Sequence, residues 1–226
     1  MGRYIKDLYE FLREVQVNNN REWFAANKER YDELRHLWLA DLDRLISDMT
    51  KWEPGMSGQN AKTSAYRFYR DTRFSKDKSP YKIFFSALLS PMGRKTTKAA
   101  WYLHMGPQPN AYSGSGVYGG YWCAETPILK KLRHAIVDNI EEWEEIINAP
   151  EMQKYYPGWC GDTLKSMPQG WPKDHPLAEV LKLKEIGKYT PITETEFMRD
   201  DWPELASDRM RVLKPMIDFL NYSIDE

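Results

Sequence analysis

The sequence predicts an α+β fold, with a central, mostly antiparallel sheet flanked by N-terminal and C-terminal helices. Two observations carry this expectation. Apolar residues recur at helical spacing toward both ends of the chain, while its middle holds short runs of ring and branched residues bounded by Pro or Gly. The segments between those runs are too short for helical crossovers, so neighbouring strands are expected to pair antiparallel. Helices placed before and after a set of strands, rather than alternating with them, define the α+β order.

Ile5, Leu8, Leu12 and Val15 form one stripe of a first helix, which Asn18-Asn19-Asn20 interrupts. Asn19 with Glu22 three residues later resembles a capping box for the next helix. Phe24, Tyr31, Leu34, Trp38, Leu42, Leu45 and Met49 keep helical spacing along that second, long helix, until Pro54-Gly55 ends it. Strands are predicted at Tyr66–Tyr69, Ile83–Leu89, Trp101–Met105, around Val117-Tyr118, and near Tyr189–Ile192. A helix opens at Thr126-Pro127 and carries the stripe Leu129, Leu132, Ile136, Ile140, Trp143 and Ile147. The final stretch, Trp202 to Tyr222, reads as helical with a break at Pro215. One domain over residues 1–226 is expected, helical over 1–55, strand-rich over 62–122, and helical and loop-rich over 126–226.

With 226 residues and nine Trp, fourteen Tyr and eight Phe, the chain has ample ring area for a core. It shows no apolar run of the roughly 20 residues that span a bilayer and no secretory leader, so a cytoplasmic protein without membrane contact is expected. Cys123 and Cys160 form neither a disulfide framework nor a metal-spaced pair, and both are expected to be separate and reduced. No metal and no cofactor motif is found. Gly114-Ser-Gly116-Val-Tyr-Gly119 spells G-x-G-x-x-G, but no βαβ unit surrounds it, and a glycine-rich hairpin accounts for it.

Charge is unevenly spread. Lys62 to Lys98 holds ten Lys or Arg against two Asp, a local +8, whereas the whole chain carries −1 and the remainder therefore −9. Within this segment Arg67, Arg70, Asp71, Arg73, Lys76, Lys78, Tyr81 and Lys82 form the candidate ligand-binding set. Guanidiniums match phosphate or carboxylate edges, and lysines add point charge. Arg67, Arg70 and Arg73 recur every third residue and converge only if a strand passes into a turn near Asp71. At least two of the three are expected to be substantially buried and hydrogen-bonded, one of them to Asp71 or another carboxylate. The competing account is a structural network in which Asp71 and the arginines cross-link a loop to the sheet.

The run Arg67-x-x-Arg70-Asp71-x-Arg73-Phe74-x-x-x-Lys78-x-x-Tyr81 resembles the signature of a bacterial family known as domain of unknown function 2461. Asn19-Asn20-Arg21-Glu22-Trp23-Phe24 with Asn27, Lys28 and Tyr31 is similar to a second motif of that family. Tyr102 with His104, Leu164-Lys165, and Asp174-His175-Pro176 with Leu181-Lys182 resemble its later blocks. The chain departs from the pattern around Gly114 to Trp122. The resemblance implies kinship over nearly the whole chain and no activity.

Two histidines are candidate general bases: His104, beside Tyr102 on a predicted strand, and His175, next to Asp174. The leading functional expectation is a pocket for a small phosphate-containing anion, in which Asp71 orients the arginines and Lys78 and Tyr81 complete the donor set. The alternative is a non-enzymatic module whose basic face docks an acidic protein or a single-stranded nucleic acid, with Tyr66, Phe68, Tyr69, Phe74 and Tyr81 available for stacking. Tight binding to duplex nucleic acid is not expected, because a local +8 reaches few phosphates while the remaining −9 repels.

Overall fold

A computed structural model describes residues 3–107, 114–122 and 125–226. In chain order its elements are α1 (Arg3–Val17), α2 (Arg21–Ala26), α3 (Lys28–Met49), α4 (Ala61–Ser64), β1 (Phe85–Leu89), β2 (Ala100–Met105), β3 (Gly116–Tyr121), α5 (Thr126–Asp138), α6 (Ile140–Asn148), α7 (Pro150–Tyr155), α8 (Ala178–Leu181), β4 (Ile186–Pro191), α9 (Glu194–Phe197), α10 (Trp202–Val212) and α11 (Lys214–Asp225). The four strands form one antiparallel sheet in the order β1-β2-β3-β4, and the fold is α+β. Two compact units can be distinguished: Met1–Lys95 with Tyr102–Val117 and Pro191–Asp208, and Thr96–Trp101 with Tyr118–Thr190 and Arg209–Glu226.

In the first unit, the α1 stripe of Ile5, Leu8, Leu12 and Val15 is fully buried, as are Leu42 and Leu45 of α3. The long helix expected from Phe24 onward is two helices, since Asn27 falls between α2 and α3. Its Nδ2 donates to the Trp23 carbonyl, so the side chain competes for a carbonyl at the end of α2. The cap of α2 is Asn20, whose side chain accepts from the Trp23 amide, and not Asn19 as the spacing to Glu22 predicts. Asn19 serves another segment: its Nδ2 donates to the Tyr81 carbonyl at 2.9 Å, and its Oδ1 accepts from the Tyr81 amide at 3.0 Å.

That segment is a two-stranded arm leading into β1. Residues 65–70 run antiparallel to residues 80–87, with bridges Ala65–Ala87 and Tyr69–Tyr81. The Tyr66 amide donates to the Ser86 carbonyl, the Lys82 amide to Phe68 and the Arg70 amide to Pro80, each at 2.9 Å. Tyr66–Tyr69 is thus extended, as predicted, but it makes isolated bridges rather than a full ladder. Alternation then decides which side chains are buried. Phe68 and Tyr81 enter an aromatic core in which Phe24 stacks on Tyr81 at 3.9 Å and Tyr31 meets Phe68 at 5.0 Å, while Arg67 stays exposed.

In the second unit, Leu129, Leu132, Ile136 and Trp143 of the predicted stripe are buried, Ile140 and Ile147 are half-buried, and Asn139 divides the stripe between α5 and α6. Pro215 lies in the first turn of α11, immediately after the break at Leu213. The glycine-rich run lies in β3 rather than opening a helix. At Gly120 (φ +144°), an added Cβ would sit 2.1 Å from the Ile186 carbonyl oxygen, so only glycine allows β3 and β4 to approach there. Lys188 on β4 is buried, donates to the carbonyls of Tyr156 (2.8 Å) and Gly158 (3.2 Å), and lies 4.1 Å from the Trp159 ring centroid. Burial lowers its pKa to about 8. Cys160 is a free thiol; Cys123 lies outside the described residues.

Candidate functional site

The arm and the loop that closes it, residues 71–79, border a cleft of about 470 Å³ in the first unit. Of the eight candidate ligand-binding residues, Arg70, Asp71, Tyr81 and Lys82 line it, together with Asn19, Asp77 and Phe84. Arg67, Arg73, Lys76 and Lys78 are exposed and do not line it.

The arginines do not converge as a buried trio. Arg70 is half-buried, whereas Arg67 and Arg73 are exposed, so the expectation that two of the three are substantially buried does not hold. The physical reason is the loop, which carries a single large apolar side chain, Phe74, and that ring is 96% exposed. Nothing in 71–79 forms an apolar lid under which a guanidinium could be enclosed. Arg73 instead forks onto Asp71, Nε at 3.0 Å and Nη2 at 2.7 Å, and the Arg73 backbone amide donates to the same carboxylate at 3.2 Å. These bonds hold the Asp71 pKa at about 2. Asp71 therefore orients Arg73 alone.

Arg70 pairs with Asp77, and its Nη1 also donates to the Ser79 carbonyl at 3.2 Å. The Ser79 hydroxyl (2.6 Å) and amide (2.9 Å) donate to the other Asp77 oxygen; with Arg70 they hold the Asp77 pKa at about 2. Lys78 donates to the Thr72 carbonyl at 2.9 Å across the loop. These contacts are internal to the arm and loop, and they fit the structural-network account for Arg70, Asp71, Arg73 and Lys78.

Lys82 differs. Its ammonium sits 5.1 Å from the Tyr66 ring centroid and 5.6 Å from that of Phe84, and it has no carboxylate partner among the described residues. The side chain is half-buried, and its pKa is lowered by burial and, second, by the charge of Arg67. Arg67 likewise forms no ion pair among the described residues. Two cations of one segment thus stand close enough to repel, although the Asp71 charge also acts on Arg67.

The family described as conserved hypothetical protein (DUF2461) matches residues 7–219. The chain belongs to that family. No curated protein and no solved structure matches it. Within this DUF2461 chain, the two candidate histidines occupy different surroundings. His104, on β2, is fully buried against Phe84 (ring centroids 4.3 Å apart), with Nδ1 3.3 Å from the Tyr102 hydroxyl. Burial and then the Lys82 charge lower its pKa to about 4, so the ring is neutral at physiological pH. Its position behind Phe84 makes it a support for the cleft wall. His175 accepts from the Leu177 amide through Nδ1 at 3.1 Å, which ties that nitrogen to the local turn.

Three contributions escaped sequence reasoning. Asn19 clamps the arm, Ser79 holds Asp77, and Tyr66 with Phe84 flanks Lys82. The only sequence signal for the first was a run of three asparagines longer than one helix cap requires. Among the described residues no group of three His, Cys, Asp or Glu is placed to hold a metal ion, and no helix is long and apolar enough to cross a membrane.

Proposed function

We propose that this protein binds a small phosphate-containing anion in the cleft beside the arm, with Lys82 as the principal cation and Arg67 reinforcing its field. The observation that supports this reading is Lys82: a half-buried ammonium, lowered in pKa, between two rings and without a carboxylate partner among the described residues. A positive charge kept partly out of water and next to a like charge is costly in the empty protein. An anion removes both costs at once, and the low dielectric of the cleft wall strengthens the attraction.

Arg70 has a secondary role in this reading. Its guanidinium lies in the cleft but is shared with Asp77, so its field on an incoming anion is partly cancelled. Tyr81 shapes the cleft through its backbone, which Asn19 fixes. No residue is assigned to bond making or breaking, because neutral His104 is buried and His175 is engaged in its own turn.

Thermal unfolding in phosphate, pyrophosphate and chloride at equal ionic strength tests the reading. At one hundred times Kd a bound anion adds about 2.7 kcal/mol, which for a chain of this size raises Tm by about 5–10 °C. Lys82→Met should abolish the phosphate-specific rise and leave the chloride response unchanged. Equal midpoints for the wild type in phosphate and chloride would remove the basis for the cleft as an anion site.

A further inference from the structure

We propose that the loop 71–79 is a stacking finger for single-stranded nucleic acid, acting separately from the anion cleft. The observation behind it is Phe74, a full aromatic ring placed almost entirely in water at the tip of the arm. An apolar ring so exposed gains nothing for the fold, since burial is what makes a ring stabilising. The Arg73 guanidinium lies 5.8 Å from the ring centroid with its fork held by Asp71, and Lys76 and Lys78 are exposed along the same loop on either side of Asp77, which pairs with Arg70. Tyr69, at the base of the loop, is a second half-exposed ring. None of Tyr69, Arg73, Phe74, Lys76 or Lys78 lines the cleft.

Rings interleaved with cations match a strand of unpaired bases, in which each base offers a π face and each linkage a phosphate. The Arg73 guanidinium, held by Asp71, covers one ring face and leaves the other for a base, while the exposed ammonium groups of Lys76 and Lys78 are available to a neighbouring phosphate. The charge distribution narrows the partner further. Positive charge is concentrated in Lys62 to Lys98, and the rest of the chain is −9, so a broad anionic surface such as a duplex or a bilayer meets repulsion wherever it extends past the loop. A single strand can touch the finger alone.

Fluorescence anisotropy of a labelled fifteen-nucleotide oligothymidine at low salt tests this, with an abasic strand of equal length, a duplex and phosphatidylserine vesicles as the other probes. The oligothymidine should bind more tightly than the abasic strand or the duplex. With Lys76 and Lys78 contacting about two phosphates, log affinity should fall by about 1.4 per tenfold rise in salt. Phe74→Ala should weaken oligothymidine binding about tenfold, toward the abasic level, while Phe74→Trp preserves it. Because Phe74 is exposed, neither substitution should change Tm. Equal affinity of wild type and Phe74→Ala, equal affinity for abasic and base-bearing strands, or Phe74-dependent binding to the vesicles instead of the strand would each overturn the proposal. Lys82→Met should leave strand binding intact, so failure of the cleft as an anion site and failure of the finger are read independently.

Discussion

The Asn19 side chain holds both backbone polar groups of Tyr81, donating to its carbonyl at 2.9 Å and accepting from its amide at 3.0 Å. A carboxamide used in this way mimics a strand neighbour, pairing one residue of the arm as a β-ladder would. It fixes the arm one residue before Lys82, so the position of the cleft cation depends on a residue in the α1–α2 connection, just before the α2 cap.

Replacing Asn19 should therefore loosen the arm. Asn19→Ala leaves a carbonyl and an amide without this partner and should cost about 1–3 kcal/mol, measured by urea unfolding. Amide exchange should accelerate at residues 66–70 and 80–84 more than in α3. Asn19→Asp keeps the acceptor and loses the donor, and should fall between the two. Unchanged exchange in the arm of Asn19→Ala would contradict the clamp.

Acid should weaken the loop through Asp77 and Asp71. Each has a folded pKa of about 2 against an ordinary 3.8. A depressed carboxylate pKa contributes stability that is present above the unfolded value and is lost as pH falls through the folded one. The affected window is thus about pH 4 down to about pH 2. Asp77→Asn should flatten part of the stability loss in that window, as followed by unfolding midpoints at stepped pH. An unaltered acid limb in this variant would show that the Asp77 contacts do not persist in solution.

Lys188 predicts a slope of the same sign at alkaline pH. Its folded pKa of about 8 lies below the ordinary 10.5, so between these values the unfolded chain holds the extra proton and stability rises with pH. The wild type minus Lys188→Met difference in unfolding free energy should rise from about pH 8 to about pH 10 and be flat below. Taking the difference in a Cys160→Ser background removes Tyr156 and the thiol coupled to Lys188, whose pKa values burial raises and which act with the other sign. A flat difference would place the Lys188 ammonium in water.

Cys160 should be a slow thiol. Burial, followed by the nearby Glu185 charge, pushes its pKa up to about 11, leaving little thiolate at neutral pH. In a Cys123→Ser background, reaction with an aromatic disulfide reagent at pH 7.5 should be far slower than for a free thiol and should reach the free rate on unfolding. A native rate equal to the unfolded one would rule out the half-buried position.

Elements with a repeating period were legible in the chain. Ile5, Leu8, Leu12 and Val15 announce α1 because a helix repeats its buried face locally, and Leu129 to Trp143 announce α5 and α6 in the same way. The extended run 66–69 and a turn near Asp71 were legible from ring residues and turn formers. The partners of single polar groups were not. Asn19 fits a cap by spacing, and nothing local says that Asn20 takes that role and frees Asn19 for Tyr81, 62 residues away. Arg70 and Arg73 were legible as cations, but which Asp each would hold depends on the loop path. Lys82 stood out least, since its lack of an acid is a property of its surroundings in space.

Lys82 as a destabilised cation that an anion relieves is the feature on which the proposed cleft stands or falls. Its pKa can be followed directly by NMR of the lysine Cε and Nζ shifts, assigned with Lys82→Met. In the empty protein it should lie below the ordinary 10.5 and rise when inorganic phosphate saturates the cleft, while exposed Lys76 stays unchanged. A Lys82 pKa at the ordinary value, or one that phosphate does not move, would show that the cleft is not an anion site.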